Sequence, residues 1–260
     1  MPAAPGYSTR PFLTIRRGYL DVLDAGRRRR RLIHGLVEAD VTQVRRAVSD
    51  AGLSFTAFIA WCVARAVVAD PIVHAYRRGR RLILFDDVDI NTQIEVEVDG
   101  QKAVQSLVLR EVNRQGVAEL TRLLRDARSD ETVGRRRYRG SVAFFALPGF
   151  LRRLPFGAVM DNPILFRRFG GTVGLSAIGM FGGGGWAIPL TPTTLMVTVG
   201  GITRKPRYVD GQLAEREMLA LTLTFDHTIV DGAPAARYAD RLVRLIEAGP
   251  GQADRGARPA

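Results

Sequence analysis

The sequence predicts one mixed α/β domain, and three of its features carry that reading. Leu219, Leu221, Leu223 and Phe225 alternate with Thr222 and Thr224, the period-two pattern of a strand. Val117, Leu120, Leu123 and Leu124 recur at helical spacing among charges, the pattern of an amphipathic helix. Segments of both kinds interleave along 260 residues without an internal repeat or a low-complexity linker. That length buries a substantial core and sits at the upper end of what one domain holds.

Taken in order, residues 1–14 are rich in Pro, Gly and Ala and read as a loose end, and 249–260 read the same way. A helix is expected from Arg16 to Ala25, stopped by Gly26, then a strand from Leu32 to Val41 and a helix from Thr42 to Asp50. Ser54-Phe55-Thr56 opens a buried helix running through Val68, which Asp70-Pro71 ends because proline excludes the helical conformation before it. Strands follow at Arg81–Phe85 and Val88–Val98, and the apolar run Ala103–Leu109 reads as a central strand. Val117–Arg128 is the amphipathic helix. Ser141–Arg168 mixes apolar stretches with arginine pairs and three prolines. It reads as two short helices covering the core or a subunit interface, as a lid for an apolar acyl chain or acceptor, or as a membrane-surface element. Thr172–Ile178, Thr194–Gly200 and Leu219–Phe225 are strands, with the loop Gly182–Gly185 after the first. A last helix starts near Gly232-Ala233-Pro234, with Ala235, Tyr238, Ala239, Leu242, Leu245 and Ile246 as its apolar stripe.

Composition narrows the function classes. No stretch approaches the roughly 20 apolar residues of a membrane-spanning helix, and residues 1–6 lack the basic-then-apolar pattern of a secretion signal. Cys62, the single cysteine, lies in an apolar run and reads as an inert buried thiol. The expectation is a cytoplasmic protein without a membrane span, a disulfide or a metal site. The net charge of +12 invites a nucleic-acid reading. Yet arginine fills all but two of the 38 basic positions, and the run Arg27–Arg31 has no interleaved aromatics to stack on bases. An acidic partner or the phosphates of coenzyme A are the better use of that charge, and no nucleic acid is expected.

Of three histidines, His34 and His74 sit beside apolar residues and read as structural. His227 stands where a strand hands over to a helix, in Asp226-His227-Thr228-Ile229-Val230-Asp231-Gly232. An imidazole there titrates near neutrality and can take a proton from a hydroxyl or thiol that attacks a carbonyl. Asp231 is either the N-cap of the next helix or one half of an ion pair that fixes the loop.

The run from Leu221 to Tyr238, with Gly200-Gly201-Ile202-Thr203-Arg204-Lys205-Pro206, Val209-Asp210-Gly211 and Gly171-Thr172-Val173-Gly174-Leu175-Ser176, resembles the catalytic domain of 2-oxo acid dehydrogenase acyltransferases. Weaker likeness covers Phe55–Pro71 and Val88–Arg128. The resemblance implies a chloramphenicol acetyltransferase-like fold, a two-layer sandwich of a mixed β-sheet flanked by helices. It implies that 15–248 form the catalytic domain, with His227 as general base and Ser176 as a donor to the oxyanion. It further implies Asp231 as the aspartate of a supporting ion pair, Arg16 as a candidate partner, and a homotrimer with its active site between subunits.

This sequence departs from the family pattern in four ways. No lipoyl domain, subunit-binding domain or Pro/Ala-rich hinge precedes the catalytic part, so a stand-alone form is expected. Thr228 stands where the family has arginine, Ala177 follows Ser176 in place of asparagine or serine, and 135–170 are a family-atypical insertion. The expected activity is transfer of an acyl group, acetyl in the first instance, from acetyl-CoA or another acyl thioester to a hydroxyl of a small molecule, as in specialised metabolite biosynthesis. No permanently bound cofactor is expected. Phe144, Phe145, Leu151 and Phe156 are the candidates for an apolar acceptor pocket. The alternatives are a dihydrolipoamide acyltransferase acting on another chain's lipoyl domain, and a non-catalytic assembly protein.

Overall fold

In a computed structural model, the structure describes residues 20, 21, 24, 30–98, 101–129, 140–178 and 185–253. Strands β1 (Leu32–Asp40), β4 (Ile90–Val98), β5 (Gln101–Leu109), β6 (Val173–Ala177), β7 (Leu195–Val209) and β8 (Gln212–Asp226) form one mixed sheet in the order β1-β8-β7-β6-β4-β5. Strand β6 runs parallel to both β4 and β7, and the other pairs are antiparallel. A small hairpin, β2 (Tyr76–Arg78) and β3 (Arg81–Ile83), stands apart. The α/β expectation holds.

Helices α1 (Val44–Asp50), α2 (Phe55–Ala69) and α3 (Val117–Ser129) join the long C-terminal helix in one layer over the sheet. Helix α2 is apolar on all sides, which suits only a helix enclosed by others. Its Ser54 side chain caps the free Ala57 N–H, and Phe58 through Ala64 are buried. The sheet face beneath it carries Leu175, Val197, Leu219, Leu221, Leu223 and Phe225.

On the opposite face of β8, Thr222 and Thr224 are buried as well. Strand β8 lies inside the sheet, and the chain after Gly185 crosses that face. The Gly201 N–H donates to the Gly185 carbonyl, and the Trp186 indole donates to the carbonyl of Val37.

Three elements differ from the sequence reading. Ala103–Leu109 belongs to an edge strand, not a central one, and Val104 and Ser106 are exposed. β7 and β8 extend far past the core as a two-stranded arm, turning at Asp210 (φ 51°) and Gly211 (φ 81°). An Asp-Gly pair at positive φ matches the twist of a tight hairpin. The last helix continues to Ala253 through a non-helical break at Gly249, so 249–253 are not a loose end.

Residues 135–170 include three helices: α4 (Gly140–Ala146), α5 (Gly149–Asp161) and α6 (Pro163–Gly170); the last helix, Gly232–Ala253, is α7. Asn162 caps α6, accepting from the Ile164 and Leu165 N–H groups. Among the described residues no single helix is long and apolar enough to cross a membrane.

Candidate active site

β8 delivers His227 to the turn before α7, and one buried carboxylate shapes that turn. Asp226 Oδ1 accepts from the Thr228 N–H at 3.0 Å, the Thr228 hydroxyl at 2.8 Å and the Arg31 N–H at 3.3 Å. Its Oδ2 accepts from Arg30 Nη1 at 3.1 Å, and the same nitrogen donates to Thr194 Oγ1 at 3.0 Å. The two side chains are 3% and 9% exposed, so this is a desolvated ion pair whose oxygens are all engaged. The His227 N–H donates to the Arg31 carbonyl at 2.7 Å, pinning the backbone to the chain entering β1.

His227 Nδ1 lies 3.2 Å from the Val230 carbonyl oxygen and 3.6 Å from Asp231 Oδ1. A carbonyl can only accept, so this hydrogen bond requires the proton on Nδ1 and leaves Nε2 as the free base. The imidazole is half-exposed, open to a substrate while its other nitrogen is held. Beside the turn, an open groove of about 670 Å³ runs between edge strand β1 and α7, lined by Ile33, Gly35, Val37, Gly232, Ala235 and Ala239.

Among the described residues the ion pair that fixes the turn is Arg30 with Asp226. Asp231 is 85% exposed at the N-terminus of α7, its carbonyl accepts from Ala235, and its only ionic neighbour among the described residues is His227. Arg16 lies outside the described residues, as does most of the loop Gly182–Gly185. Thr228, in place of the family's arginine, serves Asp226 twice from within the turn.

Ser176 is half-buried on β6, aligned with Thr198 on β7, which is aligned with Thr222 on β8. That row lies five residues from His227 along β8 and two strands away. At roughly 3.3 Å per residue and 4.8 Å per strand, the two backbones are about 19 Å apart within one chain. The sheet thus holds the two residues apart.

The rings of Phe144, Phe145 and Phe156 are half-buried and pack on one another at centroid distances of 5.5, 5.9 and 6.4 Å, and Leu151 is exposed. The insertion nevertheless reaches the site. Arg30 lies over the Phe166 ring of α6 at 5.8 Å while holding Asp226. Gly171 then leads into β6 with φ 70°, where a Cβ would come within 2.8 Å of the Asp89 carbonyl oxygen, so glycine is required.

His34 bonds Thr224, and His74 is buried against Thr172. Burial holds the His74 imidazole down at about 4, and it raises the Cys62 thiol, so neither is a reactive group at neutral pH. Among the described residues no cluster of His, Cys, Asp and Glu could hold a metal ion.

Residues 168–252 match the family model for 2-oxoacid dehydrogenases acyltransferase (catalytic domain). The lipoamide acyltransferase component of the branched-chain alpha-keto acid dehydrogenase complex of Pseudomonas putida is 30% identical over 112 residues, 43% of this chain and 26% of that protein. The succinyltransferase component of the mitochondrial 2-oxoglutarate dehydrogenase complex of Saccharomyces cerevisiae is 37% identical over 79 residues, 30% of this chain and 17% of that protein. The matches thus span about a quarter or less of these relatives. Among solved structures, a probable dihydrolipoamide acetyltransferase from Listeria monocytogenes superposes with a TM-score of 0.71 at 20% identity, over 96% of this chain and 98% of that one. The dihydrolipoamide acetyltransferase of Azotobacter vinelandii gives 0.67 at 18% identity, over 95% and 96%. Residues 168–252 are thus similar to the catalytic domain of the 2-oxoacid dehydrogenases acyltransferase family, and the fold throughout is similar to that of dihydrolipoamide acetyltransferases.

Proposed function

We propose that this chain is an acyltransferase, moving an acyl group from a thioester such as acetyl-CoA to a hydroxyl of a small lipophilic acceptor. The observation that carries it is the His227 turn, where a buried ion pair fixes the backbone and the Val230 carbonyl holds Nδ1 of a half-exposed imidazole, leaving Nε2 for the substrate. Nε2 takes the proton of the acceptor hydroxyl as its oxygen attacks the thioester carbonyl. Negative charge then develops on the carbonyl oxygen, where a well-placed hydroxyl donor such as Ser176 stabilises the transition state by roughly 3 to 4 kcal/mol. Collapse expels the thiolate, which takes the proton back from Nε2 and leaves as coenzyme A.

Because about 19 Å separates Ser176 from His227 within one chain, the serine must come from a second copy, and the active unit is a homo-oligomer, a trimer in this reading. Spacing supports the pairing. The Azotobacter vinelandii structure addresses a serine, a histidine and an asparagine in the catalytic mechanism of that enzyme. There the serine lies 52 positions before the histidine and the asparagine four after it. Here Ser176 lies 51 before His227 and Asp231 four after it.

A second reading keeps the chemistry and changes the acceptor to the thiol of dihydrolipoamide on another chain. The names of the relatives favour it, and they include succinyl and branched-chain as well as acetyl transfer. A thiol-release assay with acetyl-, succinyl- and branched acyl-CoA against hydrophobic alcohols and dihydrolipoamide separates the two. His227→Ala should lose at least about a hundredfold in rate. Mixed and re-assembled in equal amounts, His227→Ala and Ser176→Ala chains should regain about a quarter of wild-type activity, since each shared site draws one residue from each copy. An active His227→Ala protein overturns the catalytic reading, and mixtures without any gain overturn the shared site.

A further inference from the structure

Arg30 sits in a socket, and Asp226 is one wall of it. Arg30 Nη1 donates to Asp226 Oδ2 at 3.1 Å and to Thr194 Oγ1 at 3.0 Å, which commits both N–H groups of that nitrogen. The Thr194 hydroxyl donates onward to the Ala75 carbonyl at 2.6 Å, and the Asp226 N–H donates to the Thr194 carbonyl at 2.9 Å. The face of the guanidinium meets α6, where its Cζ lies 5.8 Å from the centre of the Phe166 ring. Phe166 is 2% exposed and rests on the Tyr76 ring at 5.2 Å. Tyr76 follows Ala75 at the start of β2, and its hydroxyl donates to the Met160 carbonyl of α5. The contacts close a circuit that runs from Asp226 through Arg30, Phe166, Tyr76, Ala75 and Thr194 back to Asp226.

Two bonds to one nitrogen fix where Nη1 lies, and the tilt of the guanidinium plane is set by what meets its face. An aromatic ring attracts a cation held over it within about 6 Å, and more strongly in a desolvated site. The tilt matters because the Asp226 carboxylate is rigid. Its Oδ2 follows Arg30, while its Oδ1 holds the N–H and hydroxyl of Thr228, the residue after His227. A change in tilt therefore passes through the carboxylate to the backbone that carries the imidazole. The bond from Nδ1 to the Val230 carbonyl, 3.2 Å long, is the contact it would loosen first.

We propose that Phe166 is a positioning residue for His227, so that the inserted helix α6 sets the imidazole through the face of Arg30 and the Asp226 carboxylate. The proposal rests on the acyltransferase reading for its chemistry, while the alignment itself is a property of the folded chain. It gives residues 135–170 a use at a turn that lies far from them in sequence.

The test uses the full chain with isotope-labelled histidine. The sequence holds three histidines, and His227→Ala assigns the ring signals of His227. Phe166→Leu should lower kcat about fivefold and keep KM within about twofold of wild type, the size of a desolvated cation–π contact. The same change should lower the Nδ1-protonated share of neutral His227 at least about twofold, since the Val230 bond selects that tautomer. Phe166→Met, which keeps most of the volume and lacks the ring, should behave alike. In an Arg30→Met background, Phe166→Leu should have no further effect on kcat or tautomer share, because the link is already cut. A side chain that only fills space would lower the melting temperature and leave the tautomer share at its wild-type value, which overturns the proposal. Equal effects of Phe166→Leu with and without Arg30 also overturn it. A wild type that transfers no acyl group, yet shows the tautomer coupled to Phe166 through Arg30, overturns the acyltransferase reading and supports the positioning role.

Discussion

Asp226→Asn tests the device that aims His227, and the structure sets its magnitude. Asparagine can keep the Thr228 and Arg31 N–H groups and the Thr228 hydroxyl on its single carbonyl oxygen. Its amide nitrogen then faces Arg30 Nη1, donor against donor, where Asp226 Oδ2 accepted at 3.1 Å. Arg30 is 9% exposed and cannot turn to water without moving. Removing one partner of a buried pair costs about 3 to 5 kcal/mol, because the remaining charge is left uncompensated. For a domain of this size that corresponds to a fall of roughly 6 to 20 °C in melting temperature. Urea unfolding of the wild type, Asp226→Asn, Arg30→Met and the double variant closes the cycle. The double variant should be more stable than Asp226→Asn, since its buried cation is gone. Thiol release measured on folded Asp226→Asn protein at low temperature should fall through kcat, because the turn no longer holds the imidazole. A loss below about 1 kcal/mol together with an unchanged kcat would refute the reasoning.

Three further outcomes follow from the same geometry. Ser176→Ala should lower kcat more than it raises KM, because its hydroxyl is needed when charge appears on the carbonyl oxygen; a change in KM alone would remove the oxyanion role. Asp231→Asn should change stability by less than about 0.5 kcal/mol, since asparagine caps as well as aspartate and the side chain is 85% exposed; a large loss would restore the ion-pair role to Asp231. Burial places the folded-state His74 pKa at about 4, below its ordinary 6.5, so the unfolded chain binds the extra proton between those values. Its contribution is complete above pH 6.5 and is lost as pH falls towards 4, amounting to roughly 3 kcal/mol. Urea unfolding of wild type and His74→Gln between pH 4 and 7 checks this, and parallel pH curves would exclude His74 as the cause.

Much of the architecture was legible because it rests on short-range pattern. The period-two run of β8 and the unbroken apolar helix α2 each admit one burial solution, and Asp70-Pro71 can only stop a helix. The β7–β8 arm escaped because residues 201–217 bury little and leave no apolar alternation to read. Its one signal was Val209-Asp210-Gly211, the dipeptide of a tight hairpin. Ala103–Leu109 looked central because an apolar run does not say whether a neighbour exists on both sides.

At the site, the sequence by itself determined that a strand hands over to a helix at His227 and that the helix begins near Gly232. Backbone hydrogen bonding and side-chain alternation are local and leave their marks in the residues. Which arginine meets which aspartate was decided only in three dimensions. Arg30 lies 196 positions from Asp226, and the antiparallel register of β1 on β8 brings them together. The registers of β6 on β7 and of β7 on β8 set Ser176 two strands away from the strand that ends before His227, a separation no motif spacing carries, because distance across a sheet depends on strand order.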